Sequence, residues 1–484
     1  MPPIVHWFRR DLRVADNTAL SAAARDGDGV VAVFILDDRF GDDPGIGPAR
    51  FQFLRESLED LEKALAGAGG RLDVLRGPAV ETLPRLLVAT GASAVYANAE
   101  IGPYPEKRDL EVSAELEAAG ARLRLFPDAL LVEPDALLSG RGEPYASYSP
   151  FARSWDAIEK RRPVAAPSRL APPSARIPVV PLGRVRAWKD LARADRAPAG
   201  GASEAERLLA AFAAGPLEGY ETGRDFPARD ATSRLSPHLH FGTISPRTIA
   251  QAVDAAGNGP PSHPRSRAAA KFFRELAWRE FFHHLLFHFP RVARESFQRE
   301  MDAMPWQDAP GAVAAWKEGR TGYPFVDAGM RQLATTHWMH NRARMVAASF
   351  LTKDLHVHWS EGEGWFEREL ADADLANNNG GWQWVAGTGA DAAPFFRIFN
   401  PVLQSRKFDP DGAYIRRYVP ELASVPGEKI HEPWTMTPEE QRAARCRIGH
   451  DYPGPIVEHA RERAAALESY GRLRKGARPA ASLQ

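Results

Sequence analysis

The hydrophobic periodicity of this chain changes once along its length, and that change limits what it can fold into. Within the first 130 residues, short β-branched or apolar runs recur at 4–8 (IVHWF), 30–36 (VVAVFIL), 72–75 (LDVL), 93–97 (SAVYA) and 123–126 (LRLF). Helix-length amphipathic stretches separate them, as at 50–66 and 105–119. Strands alternating with helices imply a parallel sheet, with ligands outside the strand C-termini. The glycine fingerprint for a dinucleotide is missing. GIG at 45–47 continues as PAR, without a third glycine and without a strand directly before it. From about 202 onward the pattern is helical, as in EAERLLAAF (204–212), AAAKFFRELAWREFFHHLLFHF (268–289) and ARMVAASFL (343–351). The predicted fold is an α/β N-terminal domain over 1–130, Rossmann-like without the fingerprint, then a larger all-α domain over 202–484. The connector 131–201 turns Pro-rich from 163, where each proline removes a donor and fixes φ. No long helix or central strand is expected there, and the segment is read as lying over the surface.

A chain of 484 residues with 44% hydrophobic residues can bury more than one core. Its formal net charge is zero, so a nucleic-acid partner would need a local basic patch. A single cysteine, Cys446, excludes an internal disulfide framework and a cysteine-rich metal site. The N-terminus MPPIVHWFRRDLR lacks the apolar h-region of a signal peptide, and no apolar run approaches the ~18 residues of a membrane span. A soluble, cytoplasmic protein is expected.

Nine of the twelve tryptophans fall between 278 and 434, several of them in polar, glycine-containing segments where a core role is a poor account. NNNGGWQW at 377–384 is the clearest case: three Asn and two Gly make a poor core helix, and the aromatics that follow suggest a cavity wall. Upstream, Asp372 and Asp374 are open to helix capping, cation binding or acceptance from a ligand's N–H or hydroxyl groups. In FFRELAWREFFHHL, Glu275, Trp278 and Arg279 share one helical face. A surface salt bridge beside a core tryptophan would account for that face equally well. In WMHNRARM, Asn341, Arg342, Arg344 and Met345 fall within about one turn, with arginine suited to phosphate and methionine to adaptable apolar contact. TSRLSPHL places Thr232, Ser233 and Ser236 beside Arg234, which fits either capping or an anion. Histidines 283, 284, 288, 337 and 340 have no HExxH context, so no metal site is expected. The GxSxG elbow of a hydrolase is missing.

Together these segments resemble the photolyase/cryptochrome family along essentially the whole chain, closest to class I cyclobutane-pyrimidine-dimer photolyases. WFRRDLR (7–13) is similar to the family's N-terminal signature and YASYSPFARSW (145–155) to the segment leaving its α/β domain. The densest likeness runs from TGYPFVDAGMRQL (321–333) through WMHNRARM and NNNGGWQW to RIFNP (397–401). The resemblance implies FAD held by Tyr220, Thr232, Ser233, Arg234, Leu235, Ser236, Phe272, Glu275, Arg279, Asn341, Arg344, Asp372, Asp374 and Asn378. Asn378 matches the position facing flavin N5. Trp382, Trp359 and Trp306 match the relay that photoreduces the flavin. Glu275, Trp278, Asn341, Arg342, Met345 and Trp384 match the lesion pocket, with Arg224, Arg342 and Gln404 as contacts to the DNA backbone. The implied activity is light-driven repair of UV-damaged DNA. Excited reduced FAD donates an electron to the dimer, the cyclobutane ring splits and the electron returns, with Glu275 bonding the pyrimidine carbonyl.

Some positions depart from the family. Phe272 stands where relatives often have Trp, and Asn377 where a small residue is common. In NAEIGPYPEKRD, Pro105 aligns with the glutamate of folate-binding members. A deazaflavin antenna is therefore preferred over methenyltetrahydrofolate, with an antenna-free chain still open. The rivals are a photosensory cryptochrome without repair, a (6-4) photolyase and a non-enzymatic flavoprotein that only passes electrons. Trp278 and Trp384 argue against the first, and the WMHNR context around His337 and His340 against the second. A monomer without membrane or protein partners is expected.

Overall fold

A computed structural model describes residues 1–37, 46–171, 180, 196–258, 266–391 and 397–476. The strands are β1 (Ile4–Phe8), β2 (Val30–Leu36), β3 (Leu72–Arg76), β4 (Ala94–Asn98) and β5 (Arg122–Phe126). They form one parallel sheet in the order β3-β2-β1-β4-β5. Every residue of β1 and β2 is buried. Both faces are covered, which is why these runs read as continuously apolar. The edge strand β5 is the exposed one and carries Arg122 and Arg124, charges that discourage further pairing. Helices α1 (Thr18–Asp26), α2 (Pro48–Gly67), α3 (Ala79–Thr90) and α4 (Pro103–Ala118) alternate with the strands.

The strand order reverses between β1 and β4, where an open α/β sheet would place a ligand. Among the described residues, side chains occupy the β1–β4 side of that crevice. Arg9 pairs with Asp109 at 2.6 Å, and the Asn98 amide donates to Asp11 at 2.7 Å. About 30 Å³ remains beside Arg10 and Asn98, room for little more than water. The β1 exit also grips the helical part. Leu12 N–H donates to Phe241 O, and Arg13 reaches Gly242 O at 2.9 Å. Gly242 has φ +63°, and a Cβ there would lie 2.0 Å from Arg10 O, so only glycine allows this approach.

The connector is not wholly superficial. Leu170 is buried in the sheet's core, Ala171 O accepts from Val30 N–H, and Val180 N–H donates to Val74 O. Apolar side chains in a proline-rich segment still gain by burial, and its backbone finds partners at exposed ladder positions. The rest of the Pro-rich reading, 172–179 and 181–195, lies outside the described residues. Helix α5 (Tyr148–Ala157) precedes this stretch.

The principal helices that follow are α6 (Ala202–Ala214), α7 (Ser236–Phe241), α8 (Pro246–Asn258), α9 (Arg267–His288), α10 (Pro324–Thr336), α11 (Asn341–Ser349), α12 (Trp359–Glu369), α13 (Leu375–Ala386), α14 (Pro401–Phe408) and α15 (His459–Gly476). They build two apolar cores, one around Phe151, Phe212 and Phe281, the other around Phe325, Phe350 and Trp359. No helix among the described residues is long and apolar enough to cross a membrane.

The segment read as a poor helix is one. NNNGGWQW lies inside α13, which starts at Asp374, whose side chain accepts from Asn377 N–H. That cap offsets part of the low propensity of the three Asn. The glycine serves packing: a Cβ on Gly380 would meet the Phe282 ring at 2.1 Å. The suggested close backbone approach therefore holds, within a helix.

Candidate cofactor and substrate cavity

The two helical cores do not close on each other. Between them lies a cavity of about 370 Å³, within the range of small-molecule and cofactor sites. One wall is α9, which presents Phe272, Glu275, Trp278, Arg279 and Phe282 along a single face. Opposite stand α11 with Asn341, Arg344 and Met345, and α13 with Asn377, Asn378 and Trp382. The loop 232–235 and the start of α7 close one end. Tyr220, Thr232, Ser233, Arg234, Leu235, Ser236, Asp372 and Asp374 also face this space. Every residue that the resemblance assigned to FAD thus lines one cavity.

The charges are not paired as spacing suggested. Glu275 takes Arg224, not Arg279, as its partner. Arg279 instead donates to Ala129 O at 3.0 Å, leaving guanidinium donors for an anion. Arg344 makes a two-pronged contact with Asp372 at 2.8 and 3.1 Å and donates to Met339 O. Asp374 lies between Arg10 of the sheet at 2.5 Å, His283 at 3.5 Å and His240 at 3.9 Å. Burial works to raise its pKa, but His283 and Arg10 outweigh that and hold the carboxyl well below the usual range.

Asn378 is oriented from behind. Its amide N–H donates to Glu363 O at 3.0 Å, which leaves the amide oxygen available to a ligand. Asn379 donates to the Glu363 side chain, and burial pushes that carboxyl up to about 7.

Three predicted tryptophans run outward from the cavity. Trp382 lines it, Trp359 is fully buried, and Trp306 is partly exposed on a groove with Lys317 and Glu361. His358 lies 5.4 Å from Trp306 and 5.2 Å from Trp359. A Cβ on Gly362 would meet the Trp382 ring at 2.1 Å. Gly362→Ala is expected to displace that indole and cost about 1–3 kcal/mol, read as a lowered Tm together with slower photoreduction of bound FAD.

Besides Trp306 and Trp359, four predicted residues lie outside the lining. Trp384 packs edge-on to Trp278 with centroids 6.5 Å apart. Arg342 pairs with Asp225 at 2.6 Å and Arg224 with Glu275, so both proposed DNA contacts are held in ion pairs. Gln404 sits on α14, and its side-chain oxygen is buried without a partner. The sequence reading missed His240, Trp338, Phe366 and Asn377 as lining residues, and Arg10 and Glu363 behind the lining. Arg10 sits in RRDLR, where three arginines within five residues were the available signal.

Four histidines, His238, His240, His284 and His340, are pushed down to about 4, chiefly by burial. The unfolded chain protonates such rings below about 6.5, whereas the native rings resist until about 4. Unfolding therefore takes up protons in that window, and stability falls as pH falls through it. Glu133 and Glu363, raised to about 7 by burial, act in the opposite sense between about 4.5 and 7. Glu280, Asp327, Asp354 and Asp409, also raised by burial, add to that opposing set, so the histidine share is read by difference: between about pH 6.5 and 4, Tm is expected to fall less in His284→Phe than in the parent. Paired pH series of thermal melts check this, and parallel series would refute it.

A family model described as "DNA photolyase" matches residues 4–170, and one described as "FAD binding domain of DNA photolyase" matches 272–472. The deoxyribodipyrimidine photo-lyase of Agrobacterium fabrum is 42% identical over 482 residues, 98% of each chain. A bacterial class III photolyase structure from Agrobacterium tumefaciens superposes with a TM-score of 0.92 at 41% identity, covering 98% of each chain. Its class III name stands beside the class I likeness drawn from the motifs. The Synechocystis cryptochrome structure gives a TM-score of 0.89 at 30% identity, covering 97% of this chain and 99% of its own.

Proposed function

The chain belongs to the photolyase/cryptochrome family and its activity is light-driven repair of cyclobutane pyrimidine dimers with FAD; from that premise we propose which residues do what. The observation that carries the assignment is that all the expected FAD residues line one cavity shared with Glu275, Trp278 and Met345. When bound, FAD supplies light absorption and the electron that opens the cyclobutane ring. The protein holds it. Arg279 and Arg344, with the hydroxyls of 232–236, suit the pyrophosphate, and Asp372 and Asp374 accept from ring or ribose groups. Asn378, turned by Glu363 O, offers its oxygen to flavin N5. Trp382, Trp359 and Trp306 carry electrons inward from solvent.

The dimer leaves the stack at a cost of a few kcal/mol, least for a distorted site. Stacking on an aromatic returns about 1–3 kcal/mol per base, so Trp278 and Trp384 offset the flip. Glu275 bonds the pyrimidine carbonyl as a carboxyl O–H donor once Arg224, its partner in the free protein, has turned to a phosphate. Asn341 and Met345 complete the pocket, and Arg224, Arg342 and Gln404 meet the DNA backbone, the two arginines exchanging carboxylate for phosphate. In this reading 1–130 is an antenna domain, 131–201 a connector, 202–484 the catalytic domain, and the protein a cytoplasmic monomer. The antenna is a deazaflavin rather than methenyltetrahydrofolate, supported by Pro105 at the position of the folate glutamate. Chromatography of the released chromophores tests that choice.

The test of function uses purified, reduced holoprotein and an oligonucleotide carrying one cis-syn thymine dimer. Intact thymine is followed under near-UV or blue light, with a dark control and a (6-4) lesion in parallel. Recovery from the cyclobutane lesion alone supports the reading. FAD that binds and photoreduces without any repair would move the chain to the cryptochromes.

A further inference from the structure

Trp278 does not stand alone in the cavity wall. Tyr148, the first residue of α5, lies flat against it, with ring centroids 3.6 Å apart and planes 7° from parallel. Its hydroxyl donates to Arg274 O at 3.0 Å, one turn before Trp278 on α9. Its backbone N–H donates to Asp391 at 3.1 Å, beyond the end of α13, which carries Trp384. Phe281 meets both rings nearly edge-on at 5.8 Å. One residue from the segment between sheet and helices thus touches α9, which carries Trp278, and the stretch that follows α13, which carries Trp384.

We propose that Tyr148 is a positioning residue for the lesion, covering one face of Trp278 so that a flipped base meets the indole only from its other face and edge. The proposal rests on the reading of Trp278 as a lesion contact. A ring stacked at 3.6 Å leaves no space for a base on the covered face. The indole cannot swing toward that side, and its right-angle relation to Trp384 (79°) is set before DNA arrives. Holding an aromatic contact in its bound orientation lowers the ordering cost of binding. The hydroxyl bond is a tether, and the stacked ring is the working part.

The test compares Tyr148→Ala, Tyr148→Leu and Tyr148→Phe in full-length holoprotein, with Trp278→Ala as reference. Affinity is measured for a dimer-containing oligonucleotide and for the same undamaged sequence. Repair yield is measured at saturating dimer, and FAD content for each variant. Loss of the stacked pair in the Ala and Leu variants is expected to weaken dimer binding about 3- to 10-fold. Binding to undamaged DNA, FAD content and the yield at saturation should stay at parental values, and Phe should restore dimer affinity. A purely structural role would lower FAD content or weaken both DNAs alike, and either result overturns the proposal. So would Leu matching Phe, which would leave bulk in place of stacking, or Phe failing like Ala, which would leave only the hydroxyl tether. If Trp278→Ala itself keeps full dimer affinity, the lesion-site reading falls first; if it weakens binding while Tyr148→Ala does not, only the brace is lost.

Discussion

Replacing Trp382 by phenylalanine is expected to reduce blue-light reduction of bound FAD to the level of a dark control, while repair by enzyme reduced chemically stays near the parental rate. Indole can lose an electron at accessible cost, and a phenyl ring cannot. Trp382 lines the cavity and packs edge-on to Phe366 at 5.0 Å and to Trp316 at 6.1 Å, so the smaller ring keeps most of the apolar contact. Trp316 supplies the control. It is equally buried in this cluster, and its N–H donates to Ala347 O. Trp316→Phe should leave photoreduction in place if the route passes through Trp359 and Trp306. Flash photolysis without DNA reads the first effect, and the thymine-dimer assay with dithionite-reduced protein reads the second. Photoreduction that survives Trp382→Phe would remove this residue from the route.

Arg344→Ala is expected to strip most FAD from the protein and to cost about 3 kcal/mol of stability. Asp372 is 2% exposed in its side chain and receives both of its charge-assisted bonds from Arg344. Removing the cation leaves a nearly sealed carboxylate without compensation. The figure sits at the low end of the range for broken buried pairs because Arg344 itself is 25% exposed. Asp372→Asn should be milder, since an amide there carries no charge to strand. The flavin-to-protein absorbance ratio after purification and urea denaturation at neutral pH measure the two effects. A variant that keeps stoichiometric FAD would show that Arg344 does not hold the cofactor.

The sheet was legible because its central strands are buried on both faces and so announce themselves as unbroken apolar runs. Helix α9 was legible over nearly its full length, since Arg267–His288 carries one long apolar face and neither glycine nor proline interrupts it. Helix α13 was not. Its propensity is poor, and what makes it a helix is a cap at Asp374 and the seat Gly380 leaves for Phe282, both of them contacts. The helical run at ARMVAASFL begins earlier, at Asn341, and gives way to a π-turn over Phe350–Asp354, where Asp354 bonds His459 of α15, a contact no local pattern shows. Helical spacing placed Glu275 beside Arg279, yet Arg224 approaches more closely from a distant part of the chain. The cavity residues came through because the resemblance carried them. Arg10 and Tyr148 lie in segments that carried the resemblance but received no role from it, and their partners lie too far along the chain for a local pattern to show.

Arg10 gives the linear division of the chain a limit. It follows strand β1, yet its guanidinium pairs at 2.5 Å with Asp374, the residue that caps α13. The linker is therefore a place where the polypeptide can be cut but the electrostatics cannot. The helical half made alone would present Asp374 to His240 and His283 without the guanidinium that pairs with it most closely. A foreign N-terminal half grafted in its place would have to bring a guanidinium to the same point. Sheet and helices look separable in the sequence, yet in this protein they share one ion pair.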